Sequence, residues 1–465
     1  MIRVPLPSAA LSALRQTVGD EAVLTDPADC LAYSYDNSRR MAQPQAVVFA
    51  RTHDDVVAVV RLCSLHKIPL TARGRGTNTT GAAVPLAGGI VLSLERMNRI
   101  LRISAGDRLL VCEAGTLNSA VQAAAAEYGL FWAPDPTSAG FSTIGGNLAC
   151  GAGGPKAVKY GTARDAVLGL KAVDGKGNTL ITGASTTKSV VGYDLTRLLI
   201  GSEGTLAIIT EATLKLLPKP THRQLMRAAY SSVHAAADAV ARLMCQPHTP
   251  CALEFMDGHA VRLAEGYRPT GIPSSTSALL LIEADGDGLS LPGTVAAIEA
   301  AASGAGLIEF RSAQTAAEAD NLWACRKALS PSLRQLAPKK VNEDVAVPVT
   351  RLTELIDGVQ GISEEHGLLI VCFGHAGNGN IHVNILANPD DPAQAERIEP
   401  CLTAVFALVL SLQGTISGEH GVGIDKRDYV GLEIDADTLS MMHAIKALFD
   451  PQGILNPGKT LPAPD

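Results

Sequence analysis

Arg73-Gly-Arg-Gly-Thr-Asn-Thr-Thr-Gly81 follows the apolar run Ile68 to Ala72, and its reading decides how the first part of the chain folds. Glycines 74, 76 and 81 let successive backbone N–H groups turn inward and form an anion-binding nest, a shape suited to a pyrophosphate. The competing reading is a dinucleotide site in a doubly wound sheet. Gly74-x-Gly76 follows a strand, and Glu95 lies about 20 residues on, at the end of the apolar run Gly89 to Leu94. That fold needs a crossover helix opening at the glycines. Residues 77–89 contain Gly81, Pro85, Gly88 and Gly89 and cannot supply one, and Thr79 stands where the third glycine belongs. The nicotinamide reading fails on its own geometry.

Working outward, residues 46–50 read as a strand and His53 to His66 as a helix with apolar spacing. Hairpin strands follow at 100–115, turning at Ala105-Gly-Asp107, then a helix from Leu117 to Tyr128. A second glycine-rich segment runs from Pro134 through Thr143, Gly145 and Gly146 to Asn147 and on to Gly154. Its hydroxyls and small residues suit the other side of a long phosphate-bearing ligand, or a structural connection. A hairpin at 164–182 turns at Asp174-Gly-Lys-Gly-Asn178 and precedes Gly201-Ser-Glu-Gly-Thr-Leu-Ala-Ile-Ile-Thr210.

Leu217-Pro-Lys-Pro220 reads as a linker. Beyond it the expected elements are strand 224–229, helix 232–245, strands 251–256 and 277–284, helix 293–304 and strand 307–311. Such interleaving fits an α+β domain with an antiparallel sheet. His375-Ala-Gly-Asn-Gly-Asn-Ile-His-Val-Asn384 reads as two short strands around a tight turn. Alternation puts His382 and Asn384 on one face, and the turn brings His375 towards His382. Glu419 and His420 project from Ser417-Gly-Glu-His-Gly-Val-Gly423, after a helix at 391–412. On spacing alone a divalent-metal site and a pair of hydrogen-bonded structural histidines both remain open. The pattern matches neither a zinc finger nor the helical His-Glu-x-x-His site. Arg326 on a helix, with Lys339 and Lys340 near the next strand, suits a substrate carboxylate, or a solvated charged face.

The totals narrow the class. A chain of 465 residues exceeds one ordinary core and implies two or three domains. Net charge is −7 and no Lys/Arg cluster carries interleaved aromatics, which excludes a nucleic-acid role. No apolar run reaches the roughly 20 residues of a membrane span, and no signal-peptide core follows the N-terminus, so a cytoplasmic protein is expected. Nine cysteines without a Cys-x-x-Cys pair argue against a disulfide framework and against an iron–sulfur cluster. Electrons handled by this chain must pass through a bound cofactor.

Arg73–Gly81, Pro134–Asn147 and Gly201–Thr210, in this order and spacing, resemble the FAD-binding domain of vanillyl-alcohol-oxidase-type flavoproteins. With His375–Asn384 and Ser417–Gly423 added, the chain resembles the FAD-linked D-2-hydroxy acid dehydrogenases, a group covering D-lactate, D-2-hydroxyglutarate and glycolate dehydrogenase flavoprotein subunits. The resemblance spans nearly the whole chain. It implies an α+β fold with an FAD-binding domain over 1–220, a substrate-covering cap domain over 221–420 and a segment, 421–465, that completes the flavin site. The implied FAD contacts are Arg73, Gly74, Arg75, Gly76, Thr77, Asn78, Pro136, Thr143, Gly145, Gly146, Asn147, Glu203, Gly204, Ile209 and Asn456. No histidine lies between 67 and 221, so non-covalent FAD is expected from this domain. The family assigns metal ligation to His375, His382 and Glu419 and acid/base work to His420; Arg326 matches its substrate arginine, Ser330 stands four residues on where hydroxyglutarate-specific members often carry Thr, Lys340 or Lys339 accompanies the arginine, and Asn384, on the His382 face, suits the substrate or the metal shell. Zinc is the expected ion, with manganese, cobalt and iron also compatible.

The implied reaction is oxidation of a D-2-hydroxy acid, D-lactate or a similar monocarboxylate ahead of D-2-hydroxyglutarate, to its 2-oxo acid. Electrons then leave to an electron-transfer flavoprotein, a quinone or an iron–sulfur subunit, which would bring the chain to a membrane only peripherally. The alternative is a catalytically reduced flavoprotein subunit of a glycolate-oxidase-like complex. Asn378 departs from the family, which usually has Asp there, and its amide is expected to remove a carboxylate near the metal.

Overall fold

The computed structural model describes residues 6–388 and 390–463. They form two compact units. One comprises the chain up to Gly154, Gly161–Lys219 and everything from Glu419 onward; the other comprises Pro155–Tyr160 and Pro220–Gly418. The division at Lys219 and Pro220 falls within the linker read from the sequence. The stretch read as completing the flavin site belongs to the first unit, and the six residues Pro155–Tyr160 belong to the second. Lys159 and Tyr160 explain that exception, since both side chains bond the Asp285 carboxylate within the second unit.

In the first unit a small sheet has the order Val23–Leu24, Ala46–Phe49, Ile90–Ser93, Leu70–Arg73, with the last three strands parallel. The helix His53–His66 is as the sequence reads it. Thr52 and Asp55 close a capping box at its start, worth about 1 kcal/mol, and Val56, Val59, Val60 and Cys63 are buried at helical spacing. The connection from Arg73 to Ile90 contains no helix, so the doubly wound reading is excluded by the backbone itself. A five-stranded antiparallel sheet follows, in the order Ile100–Ser104, Leu109–Glu113, Ala207–Lys215, Val167–Asp174, Thr179–Gly183. The C-terminal segment returns to the first sheet, where Leu70 N donates to Ile454 O at 2.8 Å and Asn456 N to Leu70 O at 2.8 Å.

An element beside the nest escapes the sequence reading. The glycine-rich second segment contains a helix, Ile144–Cys150. Thr143 caps it by accepting from Gly146 N, and Gly145 is required because a Cβ there would lie 2.6 Å from the Ala114 methyl. Close approach to a neighbouring strand, not loop flexibility, explains that glycine.

The second unit is a seven-stranded antiparallel sheet in the order Leu307–Ser312, His222–Tyr230, Ala278–Gly286, Ala252–Asp257, Leu369–His375, Asn380–Ala387, Lys339–Ala346. Helices Gly258–Tyr267 and Ala316–Leu336 bury Met256, Leu279, Leu281, Val371 and Phe373 on one face. Phe255, which points the other way, lines a small space with Val233 and Ala237 of helix Val233–Cys245 and Leu352 and Ile356 of helix Leu352–His366. The helices Gly258–Tyr267 and Leu352–His366 were not anticipated from the sequence.

Candidate active site

Each unit holds part of the set of residues singled out by the sequence. In the first, the loop 74–81 is built around two side chains that serve the fold. The Arg73 guanidinium is buried against Gly76 of the loop. It donates to Tyr35 O at 2.7 Å and Ala32 O at 3.4 Å and lies 5.7 Å from the Tyr33 ring. A buried cation needs acceptors, and these carbonyls supply them. Asn78 is the loop's internal brace, its Oδ1 accepting from Thr80 N and Ala82 N at 2.9 Å each. Its Nδ2 donates to His420 O at 3.1 Å, which seats the His420 backbone on this loop.

Gly76 has φ +64°, and a Cβ there would overlap the Arg73 guanidinium. Gly76→Ala therefore combines left-handed strain with eviction of a buried cation, and should destabilise the protein by about 2–4 kcal/mol. Thermal unfolding and the flavin-to-protein absorbance ratio check this; a variant with wild-type melting and full flavin content would contradict it.

Gly74 touches the Thr143 hydroxyl region in the same way, so the loop and the start of helix Ile144–Cys150 form one cradle. Arg75 is exposed, Thr77 and Gly146 are half-buried, and Pro136 opens the turn whose carbonyl accepts from Ala139 N at 2.7 Å. Thr79 Oγ1 and Asn147 Nδ2 are buried here without a protein partner, as are Arg73 Nε and Ser142 Oγ. Unpaired buried donors and hydroxyls are costly, and a phosphate-bearing ligand would satisfy them. The residues present thus fit FAD.

Glu203 and Asn456 fasten the C-terminal segment to this cradle. The Glu203 carboxylate accepts from Val422 N at 2.9 Å, Gly423 N at 2.8 Å and Thr460 Oγ1 at 2.6 Å. Burial raises its pKa, and the Thr460, Gly423 and Val422 donors hold the rise down. Asn456 Nδ2 donates to Ala82 O at 2.9 Å and Glu203 O at 2.7 Å, and its Oδ1 accepts from Lys459. Burial brings Lys459 down to about 7. Gly204 has φ +71°, and Ile209 is buried in the central sheet beside Ala172. Glu419 lies by Gly153 of the second glycine segment, where a Cβ would come 2.7 Å from its Oε2.

In the second unit the strand registers collect the other residues on one face. His375 pairs with Glu254, Phe373 with His382, Val371 with Asn384, Asp344 with His382 and Lys340 with Leu386. Paired residues share a face, so Lys340 stands with His382 and Asn384 while Lys339 points to the opposite side. The His375 and His382 rings are 5.2 Å apart, centroid to centroid, at 83°. Asn384 Nδ2 donates to Val371 O at 3.1 Å and His382 O at 3.0 Å, and its buried Oδ1 has no protein partner.

Arg326, on helix Ala316–Leu336, reaches down to Glu254 with Nε at 2.8 Å and lies 4.6 Å over the Phe373 ring. Ser330 is exposed one turn further along the same helix.

Two carboxylates on this face, Glu254 and Asp344, were missed by the sequence reading. Glu254 is 1% exposed and bonds His375 Nδ1 with Oε1 and Arg326 Nε with Oε2. Burial alone would raise its pKa, but His375 and Arg326 outweigh that and hold it well below the carboxylate range. Asp257, three residues on and on the opposite face of the strand, accepts from Ala260 N and Cys372 N at 2.7 Å each. Burial still pushes it up to about 6. Asp344, fully buried, accepts from Asn380 Nδ2 at 2.6 Å and stands 3.9 Å from His382 Nδ1. The only available signal was a lone acid in an apolar strand, as in Ala-Leu-Glu-Phe-Met-Asp257. Asn378, expected to deprive the histidines of a carboxylate, is instead exposed on the turn Ala376–Asn378, and Asp344 supplies a carboxylate beside His382.

Residues 44–183 match the family described as "FAD binding domain", and 219–460 match "FAD linked oxidases, C-terminal domain". The "Glycolate oxidase subunit GlcD" of Bacillus subtilis is 37% identical over 447 residues, covering 96% of this chain and 95% of that protein. "D-2-hydroxyglutarate dehydrogenase" of Stutzerimonas stutzeri is 34% identical, covering 98% of this chain and 99% of that one. "D-lactate dehydrogenase" of Anaerostipes hadrus is 34% identical, with 90% of each chain covered. Among solved structures, p-cresol methylhydroxylase with substrate bound aligns with a TM-score of 0.81 at 18% identity, over 97% of this chain and 96% of that one; this likeness concerns the fold.

Proposed function

The chain belongs to the FAD-linked oxidases, as an FAD-dependent oxidoreductase of the D-lactate, D-2-hydroxyglutarate and glycolate dehydrogenase type in a vanillyl-alcohol-oxidase-type fold, and we propose that it oxidises a D-2-hydroxy acid with the help of a divalent metal. The observation that carries the metal reading is the His375–His382 pair. Two imidazoles sit at 5.2 Å on one sheet face, and the Nδ1 of His375 is already engaged by Glu254, leaving Nε2 as the ligand atom. His375, His382 and Glu419 would hold the ion, an N,N,O donor set that suits zinc and also admits manganese, cobalt or iron. Such an ion would supply Lewis-acid charge to the substrate's hydroxyl and carboxylate oxygens, and FAD would supply the two-electron acceptor for the hydride leaving C2.

The protein's own groups do the rest. His420 takes the hydroxyl proton as C2–O becomes C=O. Arg326 holds the substrate carboxylate with its two terminal amino groups, for its Nε alone is bonded to Glu254. Lys340 adds a second positive charge on the same face. Arg227, also on that face, is neutralised by Glu309 at 2.6 Å and by the carbonyls of Thr270 and Gly271. Arg326 and one lysine account for one substrate carboxylate, which favours D-lactate or a similar monocarboxylate.

The test is anaerobic. Flavin absorbance is followed while D-lactate, D-2-hydroxyglutarate and glycolate are added in turn, with L-isomers as controls. Bleaching by one D-acid, abolished by a chelator and restored by added zinc, is expected. A yellow protein that no hydroxy acid bleaches would favour the second reading, a catalytically reduced subunit of an electron-transfer assembly, towards which the name of the Bacillus subtilis relative points. Reoxidation by an electron-transfer flavoprotein, a quinone analogue or an iron–sulfur protein identifies the acceptor. Among the described residues no helix is long and apolar enough to cross a membrane.

A further inference from the structure

We propose that Glu254 is the positioning residue that ties the metal ligand His375 to the substrate-binding Arg326, so that one buried carboxylate sets the state of both; this rests on the metal-dependent reading above. Glu254 lies on the strand Ala252–Asp257, directly opposite His375 in the register, and is 1% exposed. Its two oxygens serve different partners, Oε1 the His375 Nδ1 and Oε2 the Arg326 Nε.

The first contact selects a tautomer. A carboxylate can only accept, so Nδ1 of His375 must carry the proton and Nε2 must present its lone pair. The second contact selects an orientation. With Nε held at 2.8 Å from Glu254 and Cζ 4.6 Å from the Phe373 ring centroid, the guanidinium is fixed from two sides while Glu254 engages only its Nε. The pair of contacts also explains an acid in the middle of an otherwise apolar strand. Full burial of a carboxylate is tolerated because both oxygens face donors.

The isosteric Glu254→Gln separates these functions. A carboxamide oxygen can keep the charged Arg326 donor, but its N–H₂ then faces His375 and turns the imidazole to the Nε2–H tautomer, which cannot ligate. FAD-replete wild type and variant are stripped with a chelator and titrated with zinc against a chromophoric competitor. The expected result is zinc affinity about 10–100-fold weaker in Glu254→Gln. Arg326→Met, which leaves the Glu254–His375 contact in place, should keep zinc affinity within about threefold of wild type while raising KM for the hydroxy acid. If Glu254→Gln does not fold, judged by flavin content, the double variant Glu254→Gln/Arg326→Met is compared with Arg326→Met, so that no cation is left buried without its partner.

Wild-type zinc affinity in Glu254→Gln overturns the inference, and so does an Arg326→Met variant that loses zinc equally. The two proposals fail differently. Wild-type protein that binds no divalent ion sinks the metal centre itself, whereas equal binding by wild type and Glu254→Gln sinks only the role of Glu254.

Discussion

His420→Ala should keep its FAD and lose nearly all flavin reduction, with the single-turnover rate falling about 10³–10⁴-fold at saturating hydroxy acid. The argument rests on how the loop is held. The His420 main chain is fixed by its carbonyl, which accepts from Asn78 Nδ2 at 3.1 Å, and the next residues are fixed by Glu203. None of these bonds uses the imidazole. Truncation to alanine therefore removes a base without releasing the loop. Flavin absorbance after rapid anaerobic mixing gives the rate, and the spectrum before mixing gives the flavin content. KM should change little, because Arg326 and Lys340 carry the carboxylate. Near-wild-type reduction in this variant would remove His420 from the chemistry. A variant without flavin would instead show that its side chain holds the loop.

How much of this was legible beforehand varies with the range of the interaction. The helix His53–His66 was readable to the residue because its signals are local, a Thr52–Asp55 capping box and four apolar residues at helical spacing. The irregular crossover at 74–89 was equally readable, since glycines and a proline exclude a helix without reference to any partner. The turn between His375 and His382 followed from alternation. Glu254 and Asp344 were not readable as site residues. Glu254 is 121 residues from His375, and only the strand order places it opposite that histidine. Asp344 meets His382 through a pairing whose register is set by the whole sheet.

Helix Ile144–Cys150 was hidden for a different reason: two glycines lower its propensity, and tertiary approach to Ala114 requires one of them, Gly145. Arg73 and Asn78 illustrate the remaining gap. Polar residues in a ligand-binding loop look alike in sequence whether they meet the ligand or brace the loop, and these two brace it.

His382→Gln is expected to have the second largest effect, weakening divalent-metal binding at least about 100-fold and lowering flavin reduction by about 10³-fold. His382 is 7% exposed, its ring packed edge-on to Phe373 at 5.8 Å and to His375 at 5.2 Å. Glutamine nearly fills that space, so the cavity cost that alanine would incur is avoided. What it cannot reproduce is the imidazole lone pair on a ring held by its neighbours. The carboxamide oxygen is a weaker ligand for zinc and swings on an additional bond. FAD should remain, since the cradle is made by residues of the other unit, and the melting temperature should fall by only a few degrees. Metal content after dialysis and chelator competition measure the binding; stopped-flow reduction measures the rate. Because the two losses share one cause, excess metal should restore part of the rate in His382→Gln and none in His420→Ala. If excess zinc rescues neither variant while His382→Gln still binds it tightly, the histidine pair is structural and the metal is held elsewhere. Rescue of His382→Gln alone separates ligand from base, the division of labour on which the proposed reaction depends.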